Sequence, residues 1–204
     1  MPHPALRNSE GDPMDLKNTT TRYGVISQGI HWLIVALIIT QYVLATLAHN
    51  AEHDRATHPA AALQQLALLA RHKSVGLTIF ALAVLRLLWR WYSPPPPFPP
   101  TMPRWQVNAA RLTHYAFYAL LFLLPISGLV MSAASNYPVS YFGLFTIPNV
   151  VAPDEALKEV MKERHEMLFD ILVVVAIVHV IAAFKHHFVD RDDVFRRMLP
   201  WTQR

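Results

Sequence analysis

"HEMLFDILVVVAIVH", His165 to His179, places thirteen residues between two histidines, and from Met167 onward only Asp170 interrupts the apolar run. An α-helix rises 1.5 Å per residue, so the fourteen steps separate the imidazoles by about 21 Å. At about 100° per residue, the same steps return to within about 40° of the starting direction, so both rings leave one face. With "VIAAF" after it, the segment approaches the roughly 20 helical residues that cross a hydrocarbon core of about 30 Å. It reads as a membrane helix that carries two titratable rings at different depths.

Three further runs have the same character: "IHWLIVALIITQYVLATLA" from Ile30, "VGLTIFALAVLRLLW" from Val75 and "LTHYAFYALLFLLPISGLVMSAA" from Leu112. Backbone groups in lipid must be satisfied within the segment, so all four runs are helices. Pro125 lies inside the third, where a kink is expected. The first run starts too late, and lacks the small-residue cleavage site, for a removable signal peptide. The fold class is therefore all-α, an integral membrane four-helix bundle with spans at about 30–49, 73–92, 108–133 and 165–188. Residues 22–200 form the domain. Residues 1–21, polar and proline-containing, read as a disordered tail. "SPPPPFPPTMP", Ser93 to Pro103, reads as a stiff extended connector, and "DEALKEVMKERHE", Asp154 to Glu166, as an interfacial helix leading into the fourth span.

Composition agrees. Of 204 residues 53% are hydrophobic and 16% charged, well below the quarter usual in soluble domains. There is no cysteine, which excludes disulfides, Cys-ligated zinc, iron–sulfur clusters and covalent haem attachment. The net charge of +4 does not form a nucleic-acid stripe, because the basic residues flank the apolar runs. Twelve of the eighteen Lys and Arg fall on the side of both termini and the proline-rich connector. Both termini are therefore expected to be cytoplasmic.

Eleven histidines is a high count, and four of them lie in or beside the spans. By depth His72 pairs with His165 near the outer surface, and His31 with His179 toward the inner one. Ionisable groups in membrane helices are costly and mark function. Two readings stay open on spacing alone: imidazoles hydrogen-bonded across the bundle, or axial ligands of two haems on facing helices. A zinc-protease HExxH is excluded because position 169 is Phe. A di-iron carboxylate site is excluded because the spans offer only Asp170. His49, His53 and His58 read as solvated loop residues.

The pieces "RYGVISQGIHW", "RHKSVGLTIFALAVLRLLWRW", "RLTHYAFYALLFLLPISGLVMS" and "RHEMLFDILVVVAIVHVIAAFKHHF" together resemble the bacterial cytochrome b561 family, over roughly residues 22 to 200. The resemblance implies two b-type haems with His31, His72, His165 and His179 as axial ligands to the iron. It also implies electron transfer across the bacterial inner membrane from a periplasmic one-electron donor, with superoxide a candidate, to ubiquinone. The alternative it leaves is a cytochrome b subunit serving a partner dehydrogenase or periplasmic redox protein. Expected partners are thus the lipid bilayer and the quinone pool, with no nucleic acid. Arg71, Lys73 and Arg164 flank the outer pair and would contact haem propionates or an anionic donor. His114 reads as a neighbour of the inner haem. His186, two turns past His179, reads as part of a quinone or proton pathway, or as a rival inner ligand.

Overall fold

Each of the four apolar runs is the middle of a longer helix. The computed structural model describes residues 15–54 and 58–199. In it α1 runs Val25–His53, α2 Pro59–Tyr92, α3 Arg104–Ala134 and α4 Glu155–Lys185. All four are long and apolar enough to cross a membrane. The polar ends extend the helices because capping and backbone bonding continue where apolar character stops. Asp154 shows this at α4, where its carboxylate accepts from the Leu157 N–H at 3.0 Å. The expected interfacial helix over Asp154 to Glu166 is therefore the first three turns of α4 itself. Pro125 sits within α3 without ending it. After Lys185 the helix widens into a π turn, His186–Asp190, and Arg191 in the left-handed region stops it.

The helices pack as two antiparallel hairpins, α1 along α2 and α3 along α4, joined by a narrower α2–α3 seam. The α1–α2 contact buries Ile34 against Val75, Ile79 and Ala83, with Leu121 reaching in from α3. Ala48 and Ala51 meet Leu68 nearer the other end, small residues that let the backbones approach. Neither α1 nor α2 packs extensively on α4. The gap between α4 and the first hairpin is a slit, bridged where Tyr42 of α1 stacks on Phe169 of α4 with centroids 6.1 Å apart.

Residues before α1, the proline-rich connector and the carboxyl-terminal residues gather at one end. Of the tail expected to be disordered, residues 1–14 lie outside the described residues, and the remainder is ordered by Asn18. Its Nδ2 donates to Ser93 O at 2.6 Å and Pro94 O at 3.2 Å, while its Oδ1 accepts from Gly24 N and Ser27 Oγ. Gly24 must lack a side chain here, since a Cβ would stand 2.4 Å from the Lys17 carbonyl. Gln28 and Trp32 donate to the carbonyls of Arg197 and Met198, which docks the carboxyl-terminal turn on α1. Asn18→Ala removes four hydrogen bonds and leaves the buried Ser93 region under-satisfied. It is expected to lower unfolding stability in detergent by about 1–3 kcal/mol, read as a thermal shift followed by helical circular dichroism.

At the opposite end stands a β-hairpin that the apolar pattern does not announce, β1 Val139–Tyr141 against β2 Phe145–Ile147. Its turn uses positive φ at Phe142 and Gly143. The fully buried Ser74 of α2 ties it down: the hydroxyl lies 3.1 Å from Ser140 O and accepts from Phe142 N at 3.0 Å.

Candidate functional site

The slit is where the four depth-selected histidines meet. Across it the His31 ring of α1 faces the His179 ring of α4, with centroids 6.4 Å apart. The His72 ring of α2 faces the His165 ring of α4 at 6.2 Å. Among the described residues no hydrogen bond joins the two rings of either pair. A true histidine–histidine hydrogen bond looks different in this same chain: the exposed His49 and His53 on the last turns of α1 have centroids 4.6 Å apart and Nε2 atoms 3.2 Å apart.

The longer separation has a physical meaning. A metal–imidazole bond is about 2.0–2.1 Å and a ring nitrogen lies about 1.1 Å from its centroid, so two imidazoles on opposite faces of one iron have centroids about 6.3 Å apart. Both pairs have that spacing. Both also span helices that pack only sparsely on each other, which leaves width for a flat group at the level of each pair.

Helix α3 supports the α4 histidines from behind. The two helices run antiparallel, and the fourteen residues from His114 to Gly128 match the fourteen from His179 back to His165. At the outer level Ser127 Oγ donates to Leu124 O at 2.8 Å, and His165 Nδ1 lies 2.9 Å from that hydroxyl and 3.1 Å from that carbonyl. With the hydroxyl proton committed to the carbonyl, the network assigns a proton to Nδ1 and the lone pair to Nε2. That tautomer is the one a metal-binding histidine holds when a backbone carbonyl orients it. Gly128 makes the approach feasible, because a Cβ there would stand 3.2 Å from His165 Cε1. Across the slit, His72 Nδ1 is buried with no hydrogen-bond partner.

At the inner level the Phe117 and His114 rings lie 5.3 Å and 5.9 Å from that of His179. His114 thus neighbours the inner pair, on a helix packed directly against α4. Directly packed helices sit about 8–10 Å apart, too close for a metal-bearing disc between facing imidazoles. Only His31 meets His179 across the open slit.

A sequence model of the prokaryotic cytochrome b561 family matches residues 22–201. The chain belongs to this family. "Cytochrome b561 homolog 2" of Escherichia coli K12 is 38% identical over 191 residues, covering 91% of this chain and 95% of the relative. "Cytochrome b561 homolog 1" of the same organism is 27% identical, over 84% of this chain and 93% of the relative. "Probable superoxide oxidase CybB" of Yersinia pestis is 28% identical, over 88% and 96%. Membership makes this a multi-pass protein of the bacterial inner membrane with a b-type haem and a transmembrane electron-transfer function. The fold expected from the sequence, a four-helix membrane bundle, is the fold of this cytochrome b561.

The remaining named residues divide. Lys73 Nζ donates to Ser132 Oγ at 2.7 Å, bridging α2 to the end of α3 beside the outer pair. Arg71 and Arg164 are exposed. His186 has its Nδ1 2.6 Å from Asp192 and 3.2 Å from Asp190, and Asp190 is also paired with Lys185. Ser127, Leu124 and Gly128 were not singled out by sequence reasoning. The signal available was the matching fourteen-residue interval on two consecutive antiparallel helices.

Proposed function

We propose that this cytochrome b561 moves single electrons across the inner membrane between two bis-histidine haem b sites, His72 with His165 outside and His31 with His179 inside, from a periplasmic donor to ubiquinone. The observation that carries the reading is the pair of ring separations, 6.2 and 6.4 Å, at two levels of one slit. A haem held at each pair would supply a one-electron iron couple, and two histidines holding it would favour electron transfer over oxygen binding.

The chain's own part is placement. One helix, α4, sets both depths through the His165–His179 interval, and α3 fixes the ring at the outer level. Lys and Arg distribution orients both termini to the cytoplasm. Arg71, Lys73 and Arg164 then face the periplasm and draw an anionic donor by steering. Superoxide fits that charge, and a relative carries superoxide oxidase in its name. At the inner end His186, held between Asp190 and Asp192, exchanges the protons that quinone reduction consumes. A second reading, a cytochrome b subunit receiving electrons from a protein partner, draws on the hairpin beside the outer pair, which exposes Phe142, Leu144 and Phe145.

The test uses the purified full chain in detergent. Reduced-minus-oxidised spectra with haem quantification should give b-type bands at about two haems per chain; a single haem would overturn the two-site reading. Superoxide pulses with a short-chain ubiquinone should reduce the bound haem far faster than free haemin and yield quinol. No acceleration would assign the donor role to a protein docking at the hairpin.

A further inference from the structure

Among the described residues, the end of the bundle beside His31 and His179 holds positive charge that no carboxylate answers. Arg86 and Arg90 stand four residues apart on α2, so they share a face, and both are half-buried. Arg111, from the second turn of α3, is exposed, with its guanidinium 6.0 Å from the Phe98 ring centroid. Among the described residues no ion pair joins any of the three to an acid. Asp190 and Asp192 are engaged by Lys185 and His186, and Asp193 by Arg197. The half-buried guanidinium groups of Arg86 and Arg90 are unfavourable without a counter-charge, so this arrangement calls for an anion.

The space for one is present. A cavity of about 230 Å³ opens between the proline-rich connector and α3, with Arg90, Arg111, His114, Tyr115 and Tyr118 in its wall. The His114 ring, 5.9 Å from that of His179, connects this wall to the inner histidine pair. A smaller cavity shares Arg90 and Tyr118 and adds Arg86 and Tyr23. Arg86 shares that smaller cavity with Ile30, the residue before His31. Burial holds the Tyr23 phenol above its ordinary pKa despite the nearby arginines, so it remains a proton-bearing donor.

We infer that Arg86, Arg90 and Arg111 seat the two carboxylates of the inner haem, with the Tyr23 and Tyr118 hydroxyls as further donors. The inference rests on the two-haem reading. Haem carries two carboxylates on one edge of its disc, and guanidinium groups bind carboxylates through paired, charge-assisted hydrogen bonds. An ordinary anion would satisfy the charge anywhere at this end. A haem held by His31 and His179 would bring two carboxylates to this end of the bundle at once.

The experiment compares haem with its dimethyl ester, which keeps the ring and iron but lacks both negative charges. The haem-depleted full chain is titrated with each, and occupancy of the inner site is read from its own spectrum. The wild-type inner site is expected to bind haem at least about tenfold more tightly than the ester, the equivalent of one charge-assisted hydrogen bond. Arg90→Gln/Arg111→Gln should lose that preference while keeping the outer haem and its spectrum, and Arg90→Lys/Arg111→Lys should recover part of it. Equal wild-type binding of haem and ester would overturn the inference without any substitution, so a variant that folds poorly leaves it decided. Preference retained in the double Gln variant would also overturn it. A wild type holding fewer than two haems is a separate result that removes the two-haem reading itself.

Discussion

His179→Leu is expected to leave the purified protein with about one haem per chain against two in the wild type, whereas His186→Leu leaves both in place. The two histidines lie seven residues apart on one helical face, so spacing alone favours neither strongly. Their surroundings differ. His179 faces the His31 ring across an open slit at 6.4 Å, with Phe117 and His114 packed beside it. In the proposed two-haem reading His179 needs that opposing partner, and leucine at 179 would remove one of the two histidines holding the iron while keeping the apolar volume. His186 has no ring contact with another histidine among the described residues, and its Nδ1 is held by Asp192 and Asp190 in the π turn. Losing it should slow quinone reduction and its proton uptake while haem content stays at the wild-type level. Haem quantification on the two variants, with the reduced spectrum of the surviving site, reads both outcomes. Loss of haem from His186→Leu with retention in His179→Leu would reverse the assignment.

The depths of these histidines were legible in the sequence because a helix converts residue number directly into height and direction. Once His165 and His179 lie on one membrane helix, 1.5 Å per residue fixes their separation, and the order of spans fixes which of His31 and His72 shares each level. The helix ends were less legible. Apolar content marks only the lipid-embedded middle, while Asp154 and the polar turn after it extend α4 by ten residues before His165. The hairpin over 139–147 left a weaker trace still, since three-residue strands carry little alternation. It exists because Ser74, far away in sequence, accepts the Phe142 N–H and meets the Ser140 carbonyl. The ordered residues before α1 are the same case: Asn18 is a polar residue in a polar stretch until Ser93 and Pro94 are brought to it. What the sequence hides in the last two instances is a hydrogen bond between positions 66 to 76 residues apart.

A side chain at Gly128 should dismantle the outer site in steps set by its size. A Cβ at this position stands 3.2 Å from His165 Cε1 and 3.5 Å from Nδ1. The ring cannot simply swing aside, because its Nδ1 is held by Ser127 Oγ and Leu124 O, both on the same helix as Gly128. Gly128→Ala therefore pushes His165 by a few tenths of an ångström and strains those bonds, which should weaken the outer site while leaving it occupied. Gly128→Val adds two more carbons to the same contact, and small-to-large changes of this kind cost about 1–3 kcal/mol or more in packed surroundings. Here the strain falls on the ring proposed to hold the outer iron, so the expected result is loss of the outer haem, with content falling to about one per chain and the inner haem spectrum unchanged. Ser127→Ala provides the complementary probe, since it removes a hydrogen-bond partner without adding bulk. It should keep both haems but shift the outer potential, because the group that orients His165 also sets how strongly its Nε2 donates to iron. Graded haem loss along Gly, Ala and Val, with a potential shift alone in Ser127→Ala, separates crowding from ligand tuning. Full retention of both haems in Gly128→Val would mean that His165 does not hold the outer iron at all.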